Sequence, residues 1–322
     1  MTLEIGSESE TGRRSENQDR LVHFESDFGS VFVLADGMGG HQSGAVASQL
    51  AISTCEEILR SLPVDLSAGE ALGQMIQEVN RLIFEEGREQ ATKHGMGSTL
   101  VALLVSQTAD GLLAIGAHVG DSRLYFLRQG KLFRLTEDHS LVQRMIRDGM
   151  LSETEAQVHP HAGVLTRALG RQREIAVDLT SWMLLQPGDV LMLCSDGLSG
   201  YVEDEHIRWT LRQEGTSQQL ARRMVDLALE RGSEDNVSVL IVKVGADGPK
   251  LEWSAAKHSA EAVTYIPSNA GSTITNRKLV EPARILARFF KGLNCSSMGT
   301  PSTSVPLMLT RSPTVKLCRN VM

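Results

Sequence analysis

The chain has 322 residues, of which 41% are hydrophobic and 22% are charged, so it is long enough for one sizeable core and an additional segment. The net charge of −7 is unevenly spread: residues 248–322 carry +7, from ten Lys and Arg against three Glu, which leaves −14 on residues 1–247. An acidic body argues against nucleic acid as the main partner. No run of 18 apolar residues is present, which argues against a membrane-spanning helix.

Short apolar runs alternate with longer amphipathic stretches along residues 3–244, which predicts an α+β chain. Two helices follow each other directly between strands, so strict βαβ alternation is not expected. Two turn-like links, residues 107–111 and 129–130, are short enough to join antiparallel hairpins. The predicted strands span residues 3–9, 20–25, 31–36, 97–106, 112–119, 122–128, 131–135, 175–183, 189–195 and 236–244, and the predicted helices span residues 41–62, 67–91, 141–147, 152–158, 203–213 and 217–231.

The regular pattern fades after Gly245. Residues 248–322 are basic and rich in Ser, Thr and Pro, and we predict that they are mostly disordered. Within them, residues 278–293 are also compatible with a basic amphipathic helix that contacts anionic lipid or a partner protein. The sequence thus divides into a folded domain over residues 1–247 and a tail over residues 248–322.

The N-terminal segment and the cysteines bear on the compartment. The first ten residues, MTLEIGSESE, are acidic and polar, and they lack the basic region and apolar core of a signal peptide. The four cysteines show no paired spacing, so they are typical of reduced thiols rather than of a disulfide or zinc framework. We therefore predict a cytoplasmic protein.

Aspartates stand at the ends of several apolar runs. A single Asp-Gly after a strand is usually only a turn. Carboxylates that are brought together from distant parts of a chain repel one another unless a positive charge lies among them, and oxygen-rich sites of this kind suit hard divalent cations. The pattern therefore predicts a metal site built from four strand-end residues, Asp36, Asp121, Asp196 and Asp235.

Other chemistries fit these stretches poorly. Residues 37–44, GMGGHQSG, resemble a phosphate-binding loop, but no Lys follows the last glycine and Asp36 would repel a pyrophosphate. Ser195 lacks the glycine two positions earlier that a nucleophile elbow needs, and the carboxylate beside Cys194 disfavours its thiolate. His41 stays open as a general acid, a metal neighbour or a structural residue.

Eight short motifs, in the family's order, resemble those of the bacterial type 2C, metal-dependent serine/threonine protein phosphatases. The resemblance spans residues 6–244. Residues 14–19, RSENQD, are similar to the family's opening R-x-x-N-[EQ]-D, and residues 36–41 read DGMGGH. The remaining matches are GST at residues 97–99, VGDSR at 119–123, LTEDHS at 135–140, LTRALG at 165–170, SDGL at 195–198 and DN at 235–236.

The resemblance implies a particular fold and a metal cluster. The fold is an α+β, four-layer α-β-β-α sandwich, in which helices flank two central antiparallel sheets. Two Mn²⁺ or Mg²⁺ ions are expected in a cleft at one edge, with a weaker third position. If the roles of the matching family residues apply here, Asp36 bridges both ions, the Gly37 carbonyl binds one of them, and Asp196 and Asp235 bind the other.

Three further residues complete the implied site. Asp19 supports the cluster directly or through water, Asp121 belongs to the weaker third position, and Arg14 holds the substrate phosphate. A water that bridges two cations becomes hydroxide near neutral pH and can attack phosphorus in line, without a covalent enzyme intermediate. The Arg14 guanidinium offers a bidentate fork to the phosphate oxygens. Asp36 and Arg14 are therefore the candidate catalytic residues.

Two positions depart from the family's pattern. Met38 stands where many members carry a His that is thought to act as general acid, so water or another group is expected to protonate the leaving group. Gly200 stands where a further acidic residue often follows SDGL, which weakens the case for a metal at Asp121. Residues 139–174 correspond to the family's variable flap beside the cleft, and their polar, irregular character is typical of a substrate-choosing loop.

The predicted function is hydrolysis of phosphoserine and phosphothreonine on proteins, in opposition to a bacterial Ser/Thr kinase that is itself an expected substrate. One alternative is a catalytically silent module of the same fold that binds phosphoproteins, because a fold alone does not prove activity. Another is a metal-dependent hydrolase of small phosphoesters. In each case residues 248–322 are expected to be dispensable for catalysis, since every motif precedes them.

Overall fold

A computed structural model describes residues 1–39, 43–89, 95–245 and 263–265. The predicted α+β class is confirmed, because two antiparallel sheets lie face to face with helices on their outer sides. The strands are β1 (Leu3–Glu10), β2 (Asp19–Ser26), β3 (Gly29–Met38), β4 (Gly97–Ser98), β5 (Leu100–Thr108), β6 (Gly111–Val119), β7 (Arg123–Arg128), β8 (Lys131–Arg134), β9 (Val177–Leu179), β10 (Met183–Leu184), β11 (Val190–Cys194), β12 (Val237–Val244) and β13 (Val263–Tyr265). The helices are α1 (Ser43–Ser61), α2 (Ala68–Glu89), α3 (Leu141–Arg147), α4 (Glu153–Gln157), α5 (Asp196–Ser199), α6 (Asp204–Leu211) and α7 (Ser217–Glu230).

The larger sheet contains the strand that leads to Asp36. Its strands follow the order β13-β9-β6-β5-β3-β2, with β4 paired to β3 and β10 paired to β6. Side chains of β3 alternate between two cores, as the period of a strand requires. Val31 and Val33 pack under α1 and α2, whereas Phe32 and Leu34 point to the second sheet. Since both faces are covered, the strand reads as a continuous apolar run.

The smaller sheet has the strand order β1-β12-β11-β7-β8. In β11, Leu191 and Leu193 share the central core with Phe32 and Leu34, whereas Met192 faces the outer core formed with α6 and α7. Three apolar cores therefore separate four layers, helices, sheet, sheet and helices. The predicted four-layer sandwich is confirmed.

The chain crosses from the larger to the smaller sheet between β6 and β7. The crossing turns at Gly120, whose φ is +107°, and a Cβ there would lie 2.6 Å from Cγ2 of Thr99. Only glycine combines this backbone conformation with such a close approach. The turn delivers Asp121 into the cleft between the sheets.

Two predicted strands are divided. The predicted strand 175–183 forms two strands, β9 and β10, because Thr180 between them bonds to Gly116 of β6. The Thr180 amide donates to the Gly116 carbonyl at 2.9 Å, and the Thr180 Oγ1 accepts a hydrogen bond from the Gly116 amide at 2.8 Å. The predicted strand 97–106 is divided at Thr99, which bonds to Asp36. The short helix α5 was not predicted. The two predicted hairpins, β5–β6 and β7–β8, are confirmed.

The flap region contains the two predicted short helices, α3 and α4. Ser140 caps α3, and Ser152 and Glu155 form a capping box on α4. The region is attached to β4, which pairs with β3, since the Leu169 amide donates to the Ser98 carbonyl at 2.8 Å and the Ser98 amide donates to the Leu169 carbonyl at 3.2 Å.

Of the predicted tail, the structure describes only β13, which pairs antiparallel with β9 at the edge of the larger sheet. The remaining residues of 248–322, including the predicted helix 278–293, lie outside the described residues. No helix in the described part of the chain is long and apolar enough to cross a membrane.

Candidate metal centre and substrate cleft

The strand ends of both sheets and part of the flap enclose one cleft of about 1370 Å³. Four aspartates that are far apart in the sequence meet there, Asp36, Asp121, Asp196 and Asp235. Cationic side chains stand among and opposite them, contributed by Arg14, Arg167 and Arg171. The structure thus brings together the strand-end carboxylates that the sequence analysis selected.

Asp19 supplies a fifth carboxylate from the neighbouring strand. It is directly opposite Asp36 in the antiparallel β2–β3 pair and is only 3% exposed. Its Oδ2 accepts a hydrogen bond from Ser195 Oγ at 2.7 Å. Its Oδ1 is buried and has no hydrogen-bond partner among the described residues. A buried, unpartnered carboxylate oxygen is costly unless water or a cation lies beside it.

The electrostatics of the cluster favour a cation among the carboxylates. Burial, followed by repulsion from the neighbouring carboxylates, raises the pKa of Asp36 and Asp121 well above the ordinary value. The same causes raise the pKa of Asp19 and Asp196 to about 6. Carboxylates in such a group cannot all ionise at neutral pH without a compensating cation. The donor set is entirely oxygen, which suits Mg²⁺ or Mn²⁺.

Arg14 approaches this cluster from the loop between β1 and β2. Its Nη2 lies 2.8 Å from Oδ2 of Asp235, and 60% of its side chain stays exposed. This hydrogen bond and the charge of Asp235 raise the pKa of the guanidinium. Arg14 therefore lines the cleft with part of its donor fork still open to a ligand.

Asn236 holds the Arg14 loop in place, a contact that the sequence analysis did not assign. Its side-chain carbonyl accepts the Gln18 amide at 2.8 Å, and its Nδ2 donates to the carbonyls of Thr11 and Glu16. One side chain next to Asp235 thus ties three points of a loop more than 200 residues away. Its membership in the DN motif was the only sequence signal.

Thr99 is a second residue whose role appears only in three dimensions. Its Oγ1 accepts the Asp36 amide at 3.1 Å, and its own amide donates to the Asp36 carbonyl at 2.8 Å. The same Oγ1 lies 2.7 Å from the Ser122 hydroxyl. Thr99 therefore connects the strand end at Asp36 with the turn that carries Asp121.

Gly37 occupies a position with no room for a side chain. A Cβ there would lie 2.1 Å from the carbonyl oxygen of Gly44 and 2.9 Å from that of Gln18. The Gly37 amide donates to the Gln18 carbonyl at 3.1 Å. Three backbone segments therefore converge beside Asp36, which is consistent with a backbone carbonyl as a metal ligand.

Met38 and Gly200, which depart from the family's pattern, lie in different surroundings, and of two further residues considered in the sequence, His41 and Cys194, the structure describes only Cys194. Met38 lines the cleft, so an apolar side chain stands there. Gly200 is the C-cap of α5 and is exposed. His41, the open candidate for a general acid, lies outside the described residues. Cys194 is buried, and burial raises its pKa to about 12, which agrees with its interpretation as a poor nucleophile.

A second polar cluster, His118, His139 and Asp178, lies behind the Asp121 turn, and its ligand atoms are within 4.8 Å of one another. The His118 and His139 rings stack, with centroids 4.5 Å apart and planes 22° apart. Nitrogen lone pairs lie in the ring plane, so stacked rings do not aim them at one point. Both nitrogens of His139 already have partners, Gly120 and Asp178. The geometry therefore disfavours a metal ion here.

Comparisons with known proteins agree on one family. A family model described as protein phosphatase 2C matches residues 8–236. The serine/threonine phosphatase stp of Listeria monocytogenes is 37% identical over 239 residues, which cover 70% of this chain and 93% of that protein. The serine/threonine phosphatase of S. agalactiae has a similar structure, with a TM-score of 0.68, 36% identity and coverage of 76% of this chain and 100% of that one. The catalytic domain of the phosphatase PstP, solved with two manganese ions, has a TM-score of 0.63, 33% identity and coverage of 76% and 100%.

Proposed function

Since the chain belongs to the protein phosphatase 2C family and is a metal-dependent protein serine/threonine phosphatase, we propose that the carboxylate cluster around Asp36 is its metal centre. The observation that carries this proposal is the placement of Asp19 opposite Asp36, with one buried oxygen of Asp19 that has no partner among the residues described by the structure. The raised pKa values of the neighbouring carboxylates support it, because burial and then mutual repulsion disfavour their ionised forms unless a cation lies among them.

The proposed ligand set follows from the placement of each residue in the cleft. Asp36 and the Gly37 carbonyl stand at the end of β3, and Asp196 and Asp235 stand at the ends of strands in the other sheet. Asp19 supports Asp36 from the adjacent strand, and Asp121 contributes a weaker, third position. We propose two Mn²⁺ or Mg²⁺ ions, a count supported by the two manganese ions of the related PstP domain.

Phosphoester hydrolysis at this site needs a nucleophile and a group that stabilises the negative charge of the phosphoryl group. Divalent cations held by such carboxylates would supply the nucleophile, because they lower the pKa of bound water. Arg14 would stabilise the phosphoryl charge, since its guanidinium faces the cleft and matches the geometry of phosphate oxygens. Asn236 and Thr99 fix the backbone that carries Arg14 and Asp36, so that the site is formed before substrate binds.

The proposed substrates are phosphorylated proteins, including a Ser/Thr kinase of the same cell. A cleft of about 1370 Å³ is much larger than a phosphorylated side chain requires, so there is room for the flanking peptide. The flap contributes part of the lining through residues 163–168. Because such substrates are products of ATP-dependent kinases, we place the reaction in the cytoplasm. The catalytically silent alternative is not favoured, since the related proteins are phosphatases.

We also propose that the catalytic domain comprises residues 1–247 and that residues 248–322 form a separate tail. The described candidate site residues lie between Arg14 and Asn236. The matched region covers 93% of the L. monocytogenes relative but 70% of this chain, so the additional residues here lie largely outside the shared domain.

The test is hydrolysis of para-nitrophenyl phosphate and of a phosphothreonine peptide in Mn²⁺, in Mg²⁺ and in EDTA. Metal-dependent turnover that is lost in Asp36→Asn is the expected result, and Asp110→Asn, in an exposed hairpin turn, is the matched control. Undiminished turnover by Asp36→Asn would exclude the proposed metal centre. Turnover of the small ester with none of the peptide would favour a hydrolase of small phosphoesters instead.

A further inference from the structure

A continuous line of hydrogen bonds runs from the flap to the turn that carries Asp121. Arg167, which lines the cleft, donates from Nη1 to Oδ1 of Asp178 at 2.6 Å. The other oxygen of Asp178 lies 3.1 Å from Nε2 of His139. Nδ1 of His139 lies 3.0 Å from the amide nitrogen of Gly120. His139 and Asp178, which we call the His139–Asp178 pair, are almost fully buried.

The partners of His139 determine which ring nitrogen carries the proton. The Gly120 amide can only donate, so Nδ1 must be the acceptor and Nε2 must carry the hydrogen. That hydrogen points to Asp178, which is an acceptor when it is ionised. Burial alone would raise the pKa of Asp178, but the hydrogen bonds from His139 and Arg167 hold it below its usual value. The pair therefore selects one tautomer of His139.

The Gly120 peptide is held from two sides by His139. The ring accepts the Gly120 amide, and the His139 amide donates to the Gly120 carbonyl at 2.9 Å. The next residue is Asp121, and Ser122 beyond it contacts Thr99, which bonds to Asp36. The position of the Asp121 carboxylate thus depends on a turn that His139 fixes at one end and Thr99 fixes at the other.

We propose that His139 and Asp178 are positioning residues for the Asp121 metal site, and that Arg167 links this support to the substrate cleft. The proposal rests on the proposed function, since it takes Asp121 as a metal ligand. Asp178 acts by keeping the His139 ring in the tautomer and orientation that accept the Gly120 amide. Partners of this kind beyond the ligands themselves tune metal affinity in proteins.

The first experiment compares Asp178→Asn with Asp189→Asn by calorimetric titration of the full-length protein with Mn²⁺. Asp189 is the matched control, because it is also a buried carboxylate paired with an arginine, Arg128, but Arg128 does not line the cleft as Arg167 does. We expect Asp178→Asn to weaken the weakest Mn²⁺ site by about 10–100-fold and to leave the tighter sites unchanged. We expect the Asp189→Asn titration to match that of the wild type.

A second readout does not depend on metal or on activity. Long-range ¹H–¹⁵N spectra of the imidazole nitrogens should show His139 as the Nε2–H tautomer in the wild type. In Asp178→Asn, we expect a mixture of tautomers and a shifted Gly120 amide resonance. An unchanged His139 signal in that variant would overturn the proposal, even if the phosphatase assay were negative for another reason. This separates its failure from failure of the proposed function.

A double-mutant cycle tests whether Asp178 acts through Asp121. In an Asp121→Asn background, Asp178→Asn should cause no further loss of Mn²⁺ binding, because the site that it supports is already removed. Equal weakening of all sites by Asp178→Asn, or a wild-type protein without a weak third site, would overturn the proposal. Tight metal binding that is lost only when His118 and His139 are substituted would also overturn the proposal. In that case the cluster of His118, His139 and Asp178 would itself be a metal site.

If Asp178→Asn does not fold, two variants of His139 can be used to test the same positioning role by Mn²⁺ titration. His139→Asn retains a side-chain oxygen that can accept the Gly120 amide, whereas His139→Leu leaves that amide without an acceptor. We expect the weakest Mn²⁺ site to be lost in His139→Leu and partly retained in His139→Asn. Equal titrations of the two variants would contradict a positioning role.

Discussion

Asp19 and Asp36 are directly opposed partners on the antiparallel strands β2 and β3. Like charges at such a position destabilise a sheet, and here one carboxylate is almost completely buried. Ser195 satisfies one oxygen of Asp19, and the other has no partner among the described residues. The register of two strands therefore concentrates negative charge at one point, as the proposed metal centre requires.

This pairing predicts an unusual pH dependence for the metal-free protein. The pKa of Asp19 is raised to about 6 and that of Asp36 well above its ordinary value, whereas the unfolded value is about 3.9. Between about pH 4 and pH 7 the folded state then binds more protons, so this pair's contribution to stability is lost as pH rises. In EDTA, we expect Asp19→Asn to gain in Tm relative to the wild type as pH increases.

The measurement is thermal unfolding followed by circular dichroism at several pH values, with and without Mn²⁺. Added Mn²⁺ should raise the Tm of the wild type more at the higher pH, because the carboxylates are then free to bind it. Parallel Tm curves for the wild type and Asp19→Asn in EDTA would show that the pair does not titrate in this range.

Replacing Arg14 should impair the reaction without unfolding the protein. We expect Arg14→Ala to lower kcat/KM by ~10²-fold, as the loss of one charged donor to the transition state does. Arg14→Lys should be intermediate, since an ammonium lacks the bidentate fork. Steady-state kinetics with a phosphothreonine peptide provide the measurement.

The adjacent Arg13 is the matched control for Arg14. It pairs with Glu234 at 3.0 Å with most of both side chains exposed, and it does not line the cleft. Exposed pairs of this kind contribute little, so Arg13→Ala should have kinetics close to those of the wild type. Similar losses from both substitutions would indicate a general charge effect rather than phosphate binding by Arg14.

The glycine after Asp36 should not tolerate a side chain. In Gly37→Ala, the new Cβ would overlap the carbonyl oxygen of Gly44 at 2.1 Å, so the backbone beside the proposed metal site must move. We expect a large rise in the Mn²⁺ concentration needed for half-maximal activity. Gly69→Ala is the control: its Cβ meets only flexible side-chain ends, and alanine is favourable in a helix. Equal metal requirements in the two variants would contradict this account of Gly37.

A chain that ends at Gly245 should retain phosphatase activity. The described candidate site residues precede this point, and β13 contributes only an edge strand beside β9. Kinetics and Tm should be measured together on the truncated protein. A lower Tm with unchanged kcat would show that β13 stabilises the sheet edge. Loss of activity at an unchanged Tm would show instead that the tail takes part in catalysis.

The motifs were readable from the sequence because their chemistry is local. An apolar run followed by an Asp-Gly predicts a strand that ends at a carboxylate, and the apolar periodicity of residues 41–62 and 67–91 predicts two helices. These rules depend on neighbours a few residues apart. For that reason they predicted Asp36, Asp121, Asp196 and Asp235 as site candidates and most strand positions, with errors mainly at element ends and at Thr180.

The contacts that support the predicted aspartates could not be predicted from the sequence. Asn236 holds a loop more than 200 residues away, Thr99 joins Asp36 to the Asp121 turn, and Asp178 fixes His139 from a distance of 39 residues. Each is an ordinary polar residue with no local pattern that marks a partner. Strand splitting at Thr180 has the same cause, because its amide and hydroxyl bond to Gly116 rather than continuing the ladder.

The sequence alone therefore determined the family resemblance, the α+β class and the residues that carry charge, since these follow from residue type and short-range periodicity. Only the tertiary structure decided that Asp19 lies opposite Asp36, that the second oxygen of Asp19 lacks a partner in the described part of the chain, and that His139 bonds to Gly120 beside Asp121. Strand register and sheet packing set these distances, and both depend on contacts between segments that the chain order separates.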